Sequence, residues 1–546
     1  IPANLPNAAD LFVAPFVRWI PVISDRVHGF SSGSVVGKST GMSYTNVSMP
    51  LWGEAHLTGG LVGIIVAFAA LGILLGLIRQ PVLGAVAFRA RPSSLLIDAP
   101  VAALLFVVLR GSLYEVLGYL IFAVVLGFVA WLIARSGISG VMPAGADFQN
   151  AQLRPRTVAF YLPQFHTIPQ NDEWWGAGFT EWSNVAKATP LFDGHDHPRR
   201  VGELDEYDLT EVQVMHNQAA LAYDADIDAF CFYFYWFGGT RLLEKPLDNY
   251  LERGPDFPFC ISWANESWTR RWDGKDKESL IAQEYSSSTA IDVFDSFLPY
   301  LTDPRYLRVG GAAVIVVHRA DHLPAGQNFG EIWKQRAKEL GIGELHLIAA
   351  ETNSGIDPRV LKFDAVSEFP PVGSNTLNAA RLRPPKGLTP GFRGRLMSYP
   401  RLARSFMRRP ESQFVRYRGV APSWDNSARR HENATIYADA SPYEYKKWLT
   451  HARAYESSER GSNGLVFVNA WNEWAEGAYL EPDVTNGRMY LEATKLTGGV
   501  SIPQPSQPLS GPVNVAWIRS LALAAAGSAI KMLRDTRRSF SIFSRW

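Results

Sequence analysis

A chain of 546 residues, 47% hydrophobic and 19% charged, is too long for one small domain and has the composition of a globular enzyme that carries a membrane portion. Its formal net charge of +1 removes the electrostatic case for nucleic acid as a partner. Its two cysteines, Cys231 and Cys260, both lie in apolar runs and read as small core residues, so neither a disulfide framework nor a cysteine zinc site is expected.

Residues 1–57 read as an extramembrane fragment with no legible signal peptide. The run 58–78, "TGGLVGIIVAFAALGILLGLI", is uncharged over about the 20 residues that a hydrocarbon core of ~30 Å requires. Two further runs, about 94–109 with Asp98 and about 113–134 with Glu115, complete about three transmembrane helices in 58–135. Arg79, Arg89 and Arg91 lie between the first two spans and Arg135 follows the third. By the positive-inside tendency, everything after 135 is then cytoplasmic, which implies a multi-pass membrane protein. A small, polar linker follows, 136–156.

From Thr157 the pattern changes. Runs of strand length at 157–163, 228–236, 258–264, 312–318, 345–351, 364–369, 419–424 and 465–472 alternate with helical candidates at 208–224, 289–302, 328–340 and 441–455. Such alternation predicts a parallel sheet, and eight units within 157–500 predict an α/β fold: a closed (β/α)8 TIM-type barrel preceded by a helical membrane segment. The residues at the strand ends are those a carbohydrate pocket needs. They are Gln164 and His166; Tyr233, Tyr235 and Trp236; Trp263, Asn265, Glu266 and Trp268; His318; Glu351; Glu368; Asp425 and Asn426; then Trp471, Asn472, Glu473 and Glu476. A single strand-end Glu or Asn more often caps a helix or satisfies a loop, so the argument rests on their recurrence at nearly every strand.

Glu473 and Glu476 stand three apart in "NAWNEWAEGAYLEPD". On a helical turn that spacing puts Cβ atoms about 5–6 Å apart, compatible with the ~5–5.5 Å carboxyl separation of retaining glycosidases. Two such carboxylates beside tryptophan should not both ionise, so one becomes a proton donor and the other a base or nucleophile.

The stretches "AFYLPQFHTIPQNDEWWGAGFTEWSNVAKATPLFDGHDHPR", "FCFYFYWFGG", "CISWANESWTRRWDG", "PSWDNSARR" and "NAWNEWAEGAYLEPD" together resemble the WbsX family of bacterial polysaccharide-locus proteins, named glycosyltransferases and related to glycoside hydrolase family 99. The resemblance covers about 157–495. It implies a (β/α)8 barrel, with Glu473 as the base that deprotonates a sugar 2-hydroxyl for internal attack and Glu476 as the acid/base at the glycosidic oxygen. It also adds Glu181, Trp182, Arg270, Arg271 and Trp272 to the expected sugar-binding set. "YLPQFH" departs from the aromatic opening of the mannosidases, so their substrate does not carry over.

No metal or cofactor is expected. "DADID", Asp224 to Asp228, precedes the second strand and falls at the wrong face of the barrel, and His195 with His197 reads as a solvated loop. A Pro-rich linker opens 501–546, and 513–546 reads as a basic, apolar tail helix suited to an anionic leaflet. The expected activity is glycosidic-bond chemistry by a retaining, Glu-x-x-Glu mechanism on a glycan of O-antigen, lipopolysaccharide or capsule. The alternatives are a glycosyltransferase using a nucleotide- or lipid-linked donor and a non-catalytic membrane-tethered glycan-binding module. The partners implied are an oligosaccharide or lipid-linked glycan, the membrane and polysaccharide assembly machinery.

Overall fold

The computed structural model describes residues 154–543, apart from 271–274, 325, 354, 498–499 and 506–509. All of these fall in the second of the two units into which the chain divides, Pro143–Trp546. The expected segment 1–57, the three expected spans in 58–135 and nearly all of the 136–156 linker lie outside the described residues.

Eight strands build the core: β1 (Arg156–Tyr161), β2 (Ala229–Phe237), β3 (Phe259–Trp263), β4 (Ala312–Val317), β5 (Leu345–Ala350), β6 (Ala365–Ser367), β7 (Val415–Val420) and β8 (Leu465–Val468). Each pairs in parallel with the next. β1 also pairs with β8, from Arg156 opposite Leu465 to Ala159 opposite Val468, so the sheet closes on itself. Helices run over its outside, which makes a (β/α)8 barrel of the TIM type. Between β5 and β6 the helix is reduced to the single turn Pro358–Leu361.

Most of these strands are apolar along their whole length because a parallel barrel buries both of their faces. β7 is the exception and lies four residues earlier than its sequence suggests. Its Arg418 reaches Glu368 at 3.2 Å while its own backbone N–H donates to Glu456, so two arginines inside "VRYRGV" conceal a buried strand. The helix Pro442–Arg460 begins where local chemistry dictates: Ser441 accepts the Glu444 N–H and Pro442 occupies the first turn.

The two-residue alternation of the strands decides which side chains see the cavity. Tyr233 and Tyr235 turn inward, whereas Trp236 packs on Trp263. Trp263, expected to bind sugar, is 0% exposed and sits among Trp333 and Phe329 of the helix Phe329–Glu339. Glu351 and Glu368 were expected in the pocket, but Thr352 and Phe369 line it instead. The two glutamates turn to the outer layer, where Arg409 binds both, at 2.7 Å and 3.2 Å.

The tail forms a helix, Val515–Phe543, that buries Ala516, Ser520 and Ala524. Ser520 accepts the Leu396 N–H from a small parallel pair, Arg395–Ser398 with Thr435–Ala438. Its Val515–Met532 stretch is, among the described residues, the one helix long and apolar enough to cross a membrane by length and composition.

Because Trp263 is packing rather than binding surface, Trp263→Ala should cost about 3–5 kcal/mol of unfolding free energy in a denaturant titration. A loss below about 1 kcal/mol would return Trp263 to the list of solvent-facing residues.

Candidate active site

At the carboxyl ends of the strands lies a cavity of about 450 Å³ to which every strand contributes. Leu162 and Gln164 follow β1, Tyr233 and Tyr235 come from β2, and Glu266 and Trp268 follow β3. His318 and Arg319 follow β4, Thr352 follows β5, and Phe369 follows β6. Trp424, Asn426, Arg429 and Arg430 follow β7, and Glu473 and Glu476 follow β8. The floor is aromatic: Phe160 stacks on Tyr233 at 5.7 Å and meets Phe369 at 5.1 Å, and His318 meets Phe369 edge-on at 5.1 Å. Burial pushes the His318 imidazole down to about 4, so this floor is uncharged at neutral pH.

Glu473 and Glu476 reach the cavity through a tight fold of the chain rather than a full helical turn. Asn472–Glu473 pairs antiparallel with Ala478–Tyr479, and the 3₁₀ turn Trp474–Glu476 joins them. Gly477 closes the loop at φ +59°, where a Cβ would stand 3.0 Å from Arg199 and 3.1 Å from Asp425.

The guanidinium of Arg429 sits between the two glutamates. It donates to Glu476 at 2.6 Å and to Glu473 at 3.2 Å, and lies 3.1 Å from Glu181 at the head of the helix Glu181–Lys187. One cation therefore faces three carboxylates, of which Glu181 and Glu473 are buried and Glu476 is half-buried. Burial raises the Glu473 carboxyl, the Glu476 charge raises it further and Arg429 opposes both, leaving it at about 8. Burial raises Glu476 as well, against the pull of Arg429. The shorter Arg429 contact makes Glu476 the ionised member and Glu473 the proton carrier at neutral pH.

A second carboxylate holds this loop from behind. Glu481 is buried and accepts four neutral donors: Trp474 Nε1 at 2.6 Å, Gln218 at 2.7 Å, Tyr207 at 2.9 Å and Trp471 Nε1 at 3.0 Å. Burial lifts it to about 7 against those four bonds. Trp471, expected to bind sugar, is thus a buried anchor for Glu481, and Trp474 stacks on Tyr479 at 3.8 Å. Trp182 packs on Phe165 and gives its N–H to the Tyr207 carbonyl. His166 is buried against the Pro163 carbonyl.

Two expected sugar-binding amides are clamps between loops. Asn472 accepts from the Leu162 N–H at 2.7 Å and donates to its carbonyl at 3.0 Å, tying β8 to β1. Asn265 does the same for Arg319 across β3 and β4. Glu266 reaches the cavity and pairs with Arg319 at 2.8 Å. Arg270 ends the short strand Trp268–Arg270, and Arg271 and Trp272 lie outside the described residues. The motif 224–228 sits at the amino end of β2, where Asp228 takes both Arg154 nitrogens, so it stands apart from the cavity as expected.

The reading of His195 and His197 as a solvated loop is overturned. Both side chains are buried and both bring Nε2 to one oxygen of Asp425, at 2.6 Å and 2.8 Å. Asp425 itself lies beneath the cavity wall rather than in its lining. Sequence reasoning missed Arg429 and the cavity aromatics Trp175 and Trp424. The stretch "PSWDNSARR" contained two of them, but no periodicity distinguishes an arginine that enters a site from one that faces solvent.

A family model described as Glycosyltransferase WbsX matches residues 157–494. Two curated relatives, each called "Uncharacterized protein WxcX" and from two strains of Xanthomonas campestris pv. campestris, are 43% identical over 340 residues, 62% of this chain. The match spans about half of those relatives, 49% of their length. Among solved structures, a "Glycoside hydrolase-like protein" overlaps 63% of this chain and 95% of its own at 14% identity and a TM-score of 0.41. A glycoside hydrolase family 99 endo-α-mannosidase from Bacteroides thetaiotaomicron overlaps 70% of this chain and 99% of its own at 14% identity and a TM-score of 0.38.

The buried proton has a thermodynamic signature. An unfolded glutamate loses its proton near about 4.3, whereas folded Glu473 keeps its own to about 8. Between these values the folded state binds the extra proton, so its stability falls as pH rises through that window. Glu473→Gln is uncharged throughout and removes the slope. Its melting temperature relative to the unsubstituted chain should therefore climb from about pH 5 and level off above about pH 8. A constant difference across that range would place the proton elsewhere.

Proposed function

Because the chain belongs to the WbsX glycosyltransferase family, we propose that its cavity makes or breaks a glycosidic bond in a bacterial surface glycan of the O-antigen, lipopolysaccharide or capsule kind, with Glu473 and Glu476 as the acid–base pair. The observation that carries this reading is the shared guanidinium. Two glutamates from one turn meet Arg429 at the carboxyl face of the barrel, where burial raises both carboxyls and the guanidinium opposes it. Trp268, Trp175 and Trp424 along the lining offer flat faces to the C–H side of a sugar, and Gln164 and Asn426 offer amides to its hydroxyls.

The resemblance to family 99 supplies the bond changes. Glu473 takes the proton of the sugar 2-hydroxyl, whose oxygen attacks the anomeric carbon. Glu476 protonates the departing glycosidic oxygen. A hydroxyl from water or from an acceptor sugar then opens the strained ring, with Glu476 as its base and the 2-oxygen recovering a proton from Glu473. In the unliganded site the proton is on the opposite partner, which assigns Arg429 a task. A glycosidic oxygen that takes the place of Arg429 at Glu476 leaves the guanidinium to Glu473, so the proton moves to Glu476 and Glu473 becomes the base. Whether water or a second sugar receives the glycosyl group separates hydrolase from transferase, and the family's description as a glycosyltransferase supports the second.

Attachment to a cytoplasmic membrane face belongs to the same proposal. It rests on the apolar runs of 58–135 and on the exposed Val515 and Ile518 of the tail helix.

Glu473→Gln and Glu476→Gln should both fold, since the replacement is nearly isosteric, and each should lower turnover by at least about a hundredfold. The two should fail differently. Substrates with leaving groups that need no protonation should restore the first step in Glu476→Gln and not in Glu473→Gln. Mass spectrometry of lipid-linked glycans, with purified full-length chain and each variant, reads the outcome. Near-normal processing by both variants would make the carboxylates structural.

A further inference from the structure

Arg429 rides on a single helical turn, Ser427–Arg430, too short to place a guanidinium by itself. The turn is held from below by Asp425. One Asp425 carboxylate oxygen caps it by accepting the Ser427 N–H at 3.0 Å. The other accepts Nε2 of His195 at 2.6 Å and of His197 at 2.8 Å, and His197 Nε2 also lies 2.8 Å from the Ser427 hydroxyl. The Asp425 backbone N–H donates to the carbonyl of Glu476 itself, at 2.7 Å. Arg199 joins both loops, 3.7 Å from Asp425 and 3.4 Å from the Gly477 carbonyl. The loop carrying the glutamates and the loop carrying their cation thus meet at one buried aspartate.

Two histidines and an aspartate also form a common metal set, and the geometry speaks against that use here. Around a tetrahedral zinc with bonds of about 2.0 Å, ligand atoms stand about 3.3 Å apart, wider than these 2.6 and 2.8 Å contacts. The Leu191 N–H points at His195 Nδ1 from 3.0 Å, so Nδ1 carries the lone pair and Nε2 the proton. An Nε2–H donates to Asp425 and has no lone pair for an ion. Burial opposes charge on Asp425, but the two imidazole donors hold its carboxyl well below the usual range.

We propose that Asp425, gripped by His195 and His197, is a positioning residue that sets where Arg429 stands between Glu473 and Glu476. The proposal rests on the reading of those glutamates as the acid–base pair. Glu473 is faced by Glu476 from its own turn, by Arg429, by Glu181 from the helix beneath, and by Tyr233 and Tyr235 from β2. Of these, Arg429 is the group that favours the ionised form, and the Asp425 cluster is what fixes it.

The test follows the Glu473 titration in the whole chain by ¹³C-carboxyl NMR, with the signal assigned by its loss in Glu473→Gln. Asp425→Asn frees the Arg429 turn and should raise the titration midpoint by at least about one pH unit. His197→Ala removes one of the two imidazole grips and should shift it the same way by less. It also serves as the second variant if Asp425→Asn does not fold. Midpoints that superimpose on the unsubstituted chain while the melting temperature falls would reduce the cluster to a structural staple and overturn the proposal. A stoichiometric divalent metal in the purified chain, lost in His197→Ala, would overturn it as well. Neither readout needs a glycan. A shifted midpoint in a chain that processes no glycan would sink the functional reading and leave the positioning intact.

Discussion

One guanidinium among three carboxylates is the constraint on which the rest of the site depends. Arg429 carries one charge against the three carboxylates of Glu181, Glu473 and Glu476, of which Glu181 and Glu473 are buried and Glu476 is partly open to the cavity. Burial raises the carboxyls of both Glu473 and Glu476, and the shorter Arg429 contact at Glu476 favours Glu473 as the one that keeps a proton. In the proposed function, an acid and a base arise from two identical side chains three residues apart by the placing of one cation. The surrounding polar groups serve that placement. Asn472 fixes the Glu473 backbone to β1, Glu481 pulls the tryptophans of the turn into the core, and Asp425 ties the arginine loop to the glutamate loop.

Buried charge in this barrel takes two forms with different consequences. On the outer layer, Glu368 is surrounded by Arg409, Arg416 and Arg418, and charge there is compensated several times over. Beneath the site, Glu481 has only neutral donors, and its carboxyl is lifted to about 7. The first arrangement holds strands and helices in register. The second is sensitive to protonation and lies in hydrogen-bond contact with Trp474, the neighbour of Glu473.

The barrel was legible because a parallel strand buried on both faces must be apolar throughout, and runs such as "AAVIVV" and "LHLIAA" can be little else. β7 was displaced because Arg416 and Arg418 are paired inside the protein, a compensation that only the fold reveals. The catalytic candidates were legible for the same kind of reason, since two glutamates beside tryptophan after a buried strand are costly without a use. The roles of the aromatics were less so. A tryptophan two residues from a candidate catalytic glutamate looks like a sugar platform, yet Trp471 turns inward to Glu481 while Trp268 stays at the cavity. Glu351 and Glu368 were misplaced by one residue of the same alternation. Arg429 and the His195–Asp425–His197 contact join segments more than two hundred residues apart or loops with no period, so no local pattern announces them.

The central claim is that a sugar at the reaction centre replaces Arg429 at Glu476. The most direct measurement is a crystal structure of the chain with an iminosugar, whose ring nitrogen mimics the charge that develops at an anomeric carbon. The account predicts the ring against Trp268, its nitrogen within hydrogen-bond distance of Glu473 or Glu476, and the Arg429 guanidinium moved from Glu476 toward Glu473. An iminosugar bound away from both glutamates, with Arg429 still on Glu476, would contradict it.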